Sequence, residues 1–210
     1  MLQSEDHSLS QFTLYLSDPH LRYFLLTFLL AGNKSHHMKS KEIHIAIDET
    51  LTELLSVVSS FQQEQFNIVP FKDSWTAGEV TQHLVLSISG FVELMNGPTQ
   101  PTNRNPAEHI ENIKNTFLDF SSKLKSPDFI VPEKKPYEKE EQLERLKKLK
   151  TAVEEIIETA DLDQTCTRFN IPGGLGYLTR QEALAFVLYH TQRHIHQLRK
   201  IKGVLLEKVG

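Results

Sequence analysis

With a single cysteine, Cys166, the chain can close no internal disulfide, which fits a reducing compartment and a core held by packing alone. No histidine stands near it in sequence, so Cys166, in the loop-like segment Asp-Gln-Thr-Cys-Thr, is a poor candidate nucleophile. Long apolar runs are missing too. The longest, Leu21 to Ala31, carries Arg22 and falls short of the roughly 20 residues that span a bilayer. The first residues, Met-Leu-Gln-Ser-Glu-Asp, lack the basic start of a secretory signal. There is no basic excess: 23 lysines and arginines face 27 carboxylates, a net charge of −4, which argues against a nucleic-acid binder. The cations at Lys134, Lys135, Arg145, Lys147, Lys148 and Lys150 are interleaved with glutamates, as on a solvated helix face. No strand pattern of useful length and no internal repeat is present. These absences point to a cytoplasmic, all-α protein without membrane or nucleic-acid partners.

What is present is helical periodicity and enough apolar residues, 39%, to bury a core. Asp18-Pro19 reads as a cap and first helical position for a short helix to about Ala31. Residues 1–37 otherwise read as an extension outside the core fold, with Met38 an alternative start, and 38–210 as the domain. The first long helix is expected from about Lys41 to Gln65, with Ile43, Ile47, Leu51, Leu54, Val58 and Phe61 three and four apart. The second runs from Ala77 to about Asn96, opened by the capping box Thr76-Ala-Gly-Glu79, with Trp75 as a staple. Asn105-Pro106 opens an extra helix to about Lys125, carrying Ile110, Ile113, Phe117 and Phe120. The third main helix spans about Lys139 to Ala160. The fourth begins at the capping box Thr179-Arg-Gln-Glu182, continues to about Ile201 and ends near Gly203. Before it, Phe169 to Gly176 is turn-rich and suits a short hairpin. The short link between the first two helices suits antiparallel neighbours. About forty residues between the second and third leave room for a crossover that makes those two parallel.

Chemistry concentrates on the fourth helix. His190 and His194 are four apart, so both rings leave one face, in the middle of the apolar stripe Ala183, Phe186, Val187, Leu198 and Ile201. His196 lies about 200° around from His194, at about 100° per residue, and points away. On the second helix His83 sits beside Val80 and Leu84, on the side that also carries Ile88, Phe91 and Met95. Three inward imidazoles are either neutral, hydrogen-bonded core residues or share a divalent metal, because unpaired buried polar groups are costly. At about 1.5 Å per residue, His83 lies about 10 Å into its helix and His194 about 10 Å before Ile201. The metal reading therefore requires these helices to be antiparallel.

Glu79, one turn before His83, is either a base or partner to that ring or simply the last member of its capping box. Gln197, one turn after His194, either positions an incoming group or borders the core. Arg193 flanks the pair and faces either a pocket mouth or the surface, and Tyr189 reads as packing.

Trp75-Thr76 opening a helix with His83 eight residues on, and His190-x-x-x-His194-x-x-Gln197 on the last helix after a Pro-Gly loop and Leu178-Thr179, resemble the DinB/YfiT-like superfamily over roughly Lys41 to Leu205. The resemblance implies a four-helix bundle connected up-down-down-up, here with the extra helix inserted in the crossover between the second and third helices. It implies that His83, His190 and His194 bind one divalent metal, zinc or nickel. It further implies a transferase that joins a low-molecular-weight thiol cosubstrate to small electrophiles, or a metal-dependent hydrolase, or a non-catalytic metal-binding stress-response bundle. A homodimer and a small-molecule substrate go with it. Three protein ligands leave a tetrahedral position open, as catalytic sites do.

Overall fold

The computed structural model describes residues 42–171 and 174–207; the expected helix Pro19–Ala31 and the 1–37 extension lie outside them. The compact unit Ile43–Gly210 is built on four long helices. They are α1 (42–59), α3 (Ala77–Met95), α5 (Lys139–Thr159) and α6 (Arg180–Glu207), with the single turn α2 (Gln63–Phe66) after α1. The crossover between α3 and α5 contains β1 (Thr99–Gln100), α4 (Ile110–Leu118) and a 3-10 turn, Asp128–Ile130. Strand β2 (Thr165–Cys166) precedes α6 and pairs antiparallel with β1.

Pairwise contacts fix the helix directions. Between α3 and α6, Ser87 meets His190, Phe91 stacks on Phe186, and the Met95 carbonyl accepts from Arg180. Residue numbers rise on one helix as they fall on the other, so the pair is antiparallel. From Gly78 beside Tyr137 to Gln82 hydrogen-bonded to Gln142 and Arg145, numbers rise together, so α3 and α5 run parallel. Thr50 with Gln192 and Glu53 with Arg199 make α1 and α6 parallel. The connectivity is up-down-down-up, and the crossover makes it possible. Gly78 sits at the tightest approach: a Cβ there would stand 3.1 Å from Tyr137 Cβ and 3.2 Å from Asn67 Oδ1, the oxygen that accepts from the Tyr137 N–H.

Both main capping boxes form. Thr76 Oγ1 accepts from the Glu79 N–H at 3.0 Å and Glu79 Oε2 accepts from the Thr76 N–H at 2.8 Å. Thr179 and Glu182 repeat the exchange at the start of α6. The expected inward faces are the buried ones, Val80, Leu84, Ile88, Phe91 and Met95 on α3, and Ala183, Val187, Leu198 and Ile201 on α6, except that Phe186 of the same stripe is half-buried.

Four boundaries differ from the sequence reading. The first helix stops at residue 59 rather than 65, because the Ser60 hydroxyl turns back onto the Val57 carbonyl and Gln62 with Gln65 caps a separate turn. The extra helix begins at Ile110, not Pro106, since Asn105 Oδ1 accepts from the Ala107 N–H and spends its cap on a local turn. It ends at Leu118 rather than near Lys125, because Asp119 draws in Ser121 and Ser122. The last helix continues past Gly203 to Glu207, where Leu205 is buried and its packing outweighs the weak helix propensity of one glycine. The ladder of β1 with β2 is too short to leave a periodic pattern. The hairpin is present at its base, where Ile171 and Gly176 exchange two backbone hydrogen bonds.

Candidate metal centre

His83 from α3 and His190 and His194 from α6 come together, all three buried. Nε2 of His83 lies 3.1 Å from Nε2 of His190, and Nε2 of His194 lies 3.0 Å from it. Each ring offers a nitrogen within 4.8 Å of the other two. The antiparallel pairing of α3 with α6 puts the rings at one depth, and the four-residue spacing stacks two of them on adjacent turns.

The opposite ring nitrogens decide the chemistry. Nδ1 of His83 donates to the Ile130 carbonyl at 2.8 Å, and Nδ1 of His194 donates to Gln197 Oε1 at 2.8 Å. Both partners can only accept, so these rings carry their proton on Nδ1 and a bare lone pair on Nε2. Both lone pairs face Nε2 of His190, whose own Nδ1 has Ser87 Oγ at 3.3 Å. A proton on Nε2 of His190 can satisfy one of them, never both. With the proton on Nδ1 of His190, all three lone pairs converge. A buried acceptor without a donor is costly, and a cation at the point of convergence relieves all three at once. The arrangement also matches the outer partners that orient metal-binding imidazoles. Tetrahedral nitrogens about 2.1 Å from a metal stand about 3.4 Å apart, a few tenths of an ångström beyond the observed spacing.

Burial is the main force on all three rings and pushes each below the ordinary imidazole value. His194 falls to about 3, with His83 adding to the effect and the Gln197 hydrogen bond opposing it. The rings are therefore neutral near pH 7, which is the form that binds metals.

The histidines line an open cleft of about 1360 Å³ between α3, α6 and the crossover. Trp75 lies against His83 with ring centroids 5.1 Å apart. Phe117 lies against His190 at 5.1 Å and against Phe186 at 4.7 Å. These aromatic rings flank the histidine group within the cleft.

The remaining candidates fall in different places. The Glu79 carboxylate is engaged with the Thr76 N–H in its cap. Gln197 orients His194 and also lines the cleft. The Arg193 guanidinium donates to the carbonyls of Phe117 at 3.1 Å and Asp119 at 2.8 Å, and to that of Ser122, which fastens the end of α4 beside the site. His196 is exposed and stacks on Phe120 at 4.2 Å. Cys166 is fully buried in β2, and burial pushes its thiol up to about 11, too high for a nucleophile at neutral pH.

Sequence reasoning missed Ser87 and Ile130. Ser87 stands one turn after His83 on the same helix, so its spacing was a usable signal. Ile130 contributes a main-chain carbonyl, which no side-chain pattern can announce.

An up-down-down-up helical bundle with an internal three-histidine group that could hold a metal ion defines the class of this protein. The chain belongs to the DinB superfamily, whose model matches residues 46–198. No curated protein and no solved structure gives a significant match. Among the described residues no helix is long and apolar enough to cross a membrane.

Proposed function

We propose that the protein binds one divalent metal ion, zinc or nickel, through His83, His190 and His194, and transfers a low-molecular-weight thiol onto small electrophiles. The observation that carries this reading is the convergence of Nε2 lone pairs at the floor of an open cleft. A metal held there supplies a Lewis acid that makes a thiol more acidic.

The chain's own residues do the rest. Ile130, Ser87 and Gln197 keep a proton on each Nδ1, so that each Nε2 points inward as a ligand. Phe117, Phe186 and Trp75 give the cleft apolar walls beside the histidines. The cleft admits the two reactants.

Thiol transfer is placed ahead of hydrolysis because Glu79, the carboxylate nearest the histidines in sequence, is committed to its cap and is not free to serve as a base. A metal on three neutral histidines would lower the pKa of a bound water as well as of a thiol, so metal-dependent hydrolysis is the second reading, and the comparison of rates with and without thiol separates the two. A cytoplasmic location, where free thiols stay reduced, goes with this reading. The test is turnover of monochlorobimane by metal-loaded protein with and without bacillithiol or glutathione. Thiol-dependent turnover is expected, and equal rates with and without thiol overturn the transferase reading.

A further inference from the structure

The cleft walls carry information that the histidines do not. Phe71, Phe120, Leu124, Phe129, Val131 and Phe169 are each at least 43% exposed, and all six line this cleft. They come from four separate segments: the loop before α3, the stretch after α4, the 3-10 turn with its exit, and the loop after β2. Scattered exposed apolar residues need no explanation, but a contiguous group around one opening marks a binding surface. Phe129 and Phe169 meet edge to face at 6.0 Å at the outer end, and Phe117 and Phe186 continue the aromatic lining down to His190.

Charge is distributed as unevenly as apolar surface. The chain as a whole is negative, at −4. The cleft lining reverses this, with five lysines and arginines against three carboxylates. Arg193 is held by main-chain carbonyls, and Arg168 stands 3.9 Å from Glu93. Among the described residues Lys123 and Lys125 have no ion-pair partner, and Lys200 has only the Phe71 ring, 5.6 Å from its centroid. Uncommitted cations beside an apolar wall, on a chain of opposite net charge, select a ligand with both properties.

We infer that the cleft receives an amphipathic anion, with an alkyl or aryl body against Phe120, Phe129 and Phe169 and its acidic group among Lys123, Lys125 and Lys200. This rests on the reading of the cleft as a substrate site and names the substrate rather than the thiol. A thiol cosubstrate such as glutathione is polar along its whole length and has no apolar body to cover that wall. The cleft exceeds the roughly 300–1,000 Å³ of an ordinary small-molecule pocket, which leaves room for both reactants.

The test uses the full chain and a matched pair of fluorescent probes. 1-Anilinonaphthalene-8-sulfonate carries the acid, and N-phenyl-1-naphthylamine is its neutral counterpart. Trp75, the one tryptophan in the chain, lines the cleft, so energy transfer from it reports binding in place. The sulfonate is expected to bind with transfer from Trp75 and about tenfold more tightly than the neutral probe. The triple variant Lys123→Glu, Lys125→Glu, Lys200→Glu should weaken the sulfonate about tenfold, the effect of a few partly screened charges, and leave the neutral probe within twofold. Phe129→Ala with Phe169→Ala should weaken both. Near-ultraviolet circular dichroism confirms that each variant is folded before its affinity is read. Equal affinity for the two probes, an unchanged sulfonate affinity in the triple variant, or binding without transfer from Trp75 overturns the inference. No outcome depends on turnover, so loss of thiol-dependent activity and loss of anion preference are separate results.

Discussion

At the scale of single residues, the centre depends on which nitrogen of each imidazole holds a proton. His190 stands between the other two rings, and its Nε2 is the atom both neighbours face. His190→Ala should therefore abolish stoichiometric metal uptake, measured by elemental analysis of protein made without a polyhistidine tag. A variant that retains as much metal as the wild type would place the site elsewhere. Gln197 acts through His194, so Gln197→Leu should weaken metal affinity about 10- to 100-fold, the usual effect of removing an outer hydrogen-bond partner. Gln197→Glu keeps an acceptor on Nδ1 and should retain most of the affinity; competition with a chromophoric chelator separates the two variants. Of the site, the sequence made the grouping of the three buried histidines legible because apolar helical stripes interrupted by histidines are visible in one dimension. It left Glu79 and Gln197 open. Their distances resolve them differently, with one carboxylate engaged in its cap and one amide on an imidazole.

At the scale of elements, the crossover is held to α6 by a buried ion pair. Both carboxylate oxygens of Glu182 lie 2.6 Å from Arg104 nitrogens, and Glu182 also accepts from the N–H groups of His109 and Thr179. Burial raises the Glu182 pKa, but these hydrogen bonds outweigh it and hold the group below the usual carboxylate range. Because the folded value lies below the unfolded one, the stabilisation is complete above about pH 4.3. It is lost as pH falls through the folded value. Urea unfolding should accordingly show Glu182→Gln to be less stable by about 3 kcal/mol at pH 7, as expected for breaking a buried pair, and the gap should narrow in acid. Gly203 offers the opposite case: it lies within α6, and a Cβ there would meet nothing within 4 Å. Gly203→Ala should add about 1 kcal/mol in the same assay. Helix ends were the least legible part of the fold. Asn105, Ser60 and Asp119 settle them through side-chain bonds to nearby backbone, and such bonds compete locally with the helix.

At the scale of the whole molecule, a metal on His83, His190 and His194 would tie α3 to α6 across more than a hundred residues of chain. Metal that binds only the folded form stabilises it by about 2.7 kcal/mol at a hundredfold excess over its Kd. For a domain of this size that corresponds to a rise of about 5–10 °C in Tm. Thermal melts with zinc or nickel should show the rise, a chelator should reverse it, and His190→Ala should not show it. The bundle's direction was legible because link lengths constrain which helices can be neighbours. The wrapping of the crossover over the cleft was not, since it depends on contacts of Arg104 and Arg193 with distant residues.

The hydrogen bond from His83 to Ile130 sets an uneven tolerance to change. The acceptor is a main-chain oxygen, so the identity of the side chain at position 130 is free to vary as long as the local turn survives. Length is another matter: adding or removing one residue between Leu118 and Pro132 would carry that oxygen away from the ring. Position 130 should accept substitutions readily, while the stretch around it should reject insertions and deletions, the reverse of what its exposed position suggests.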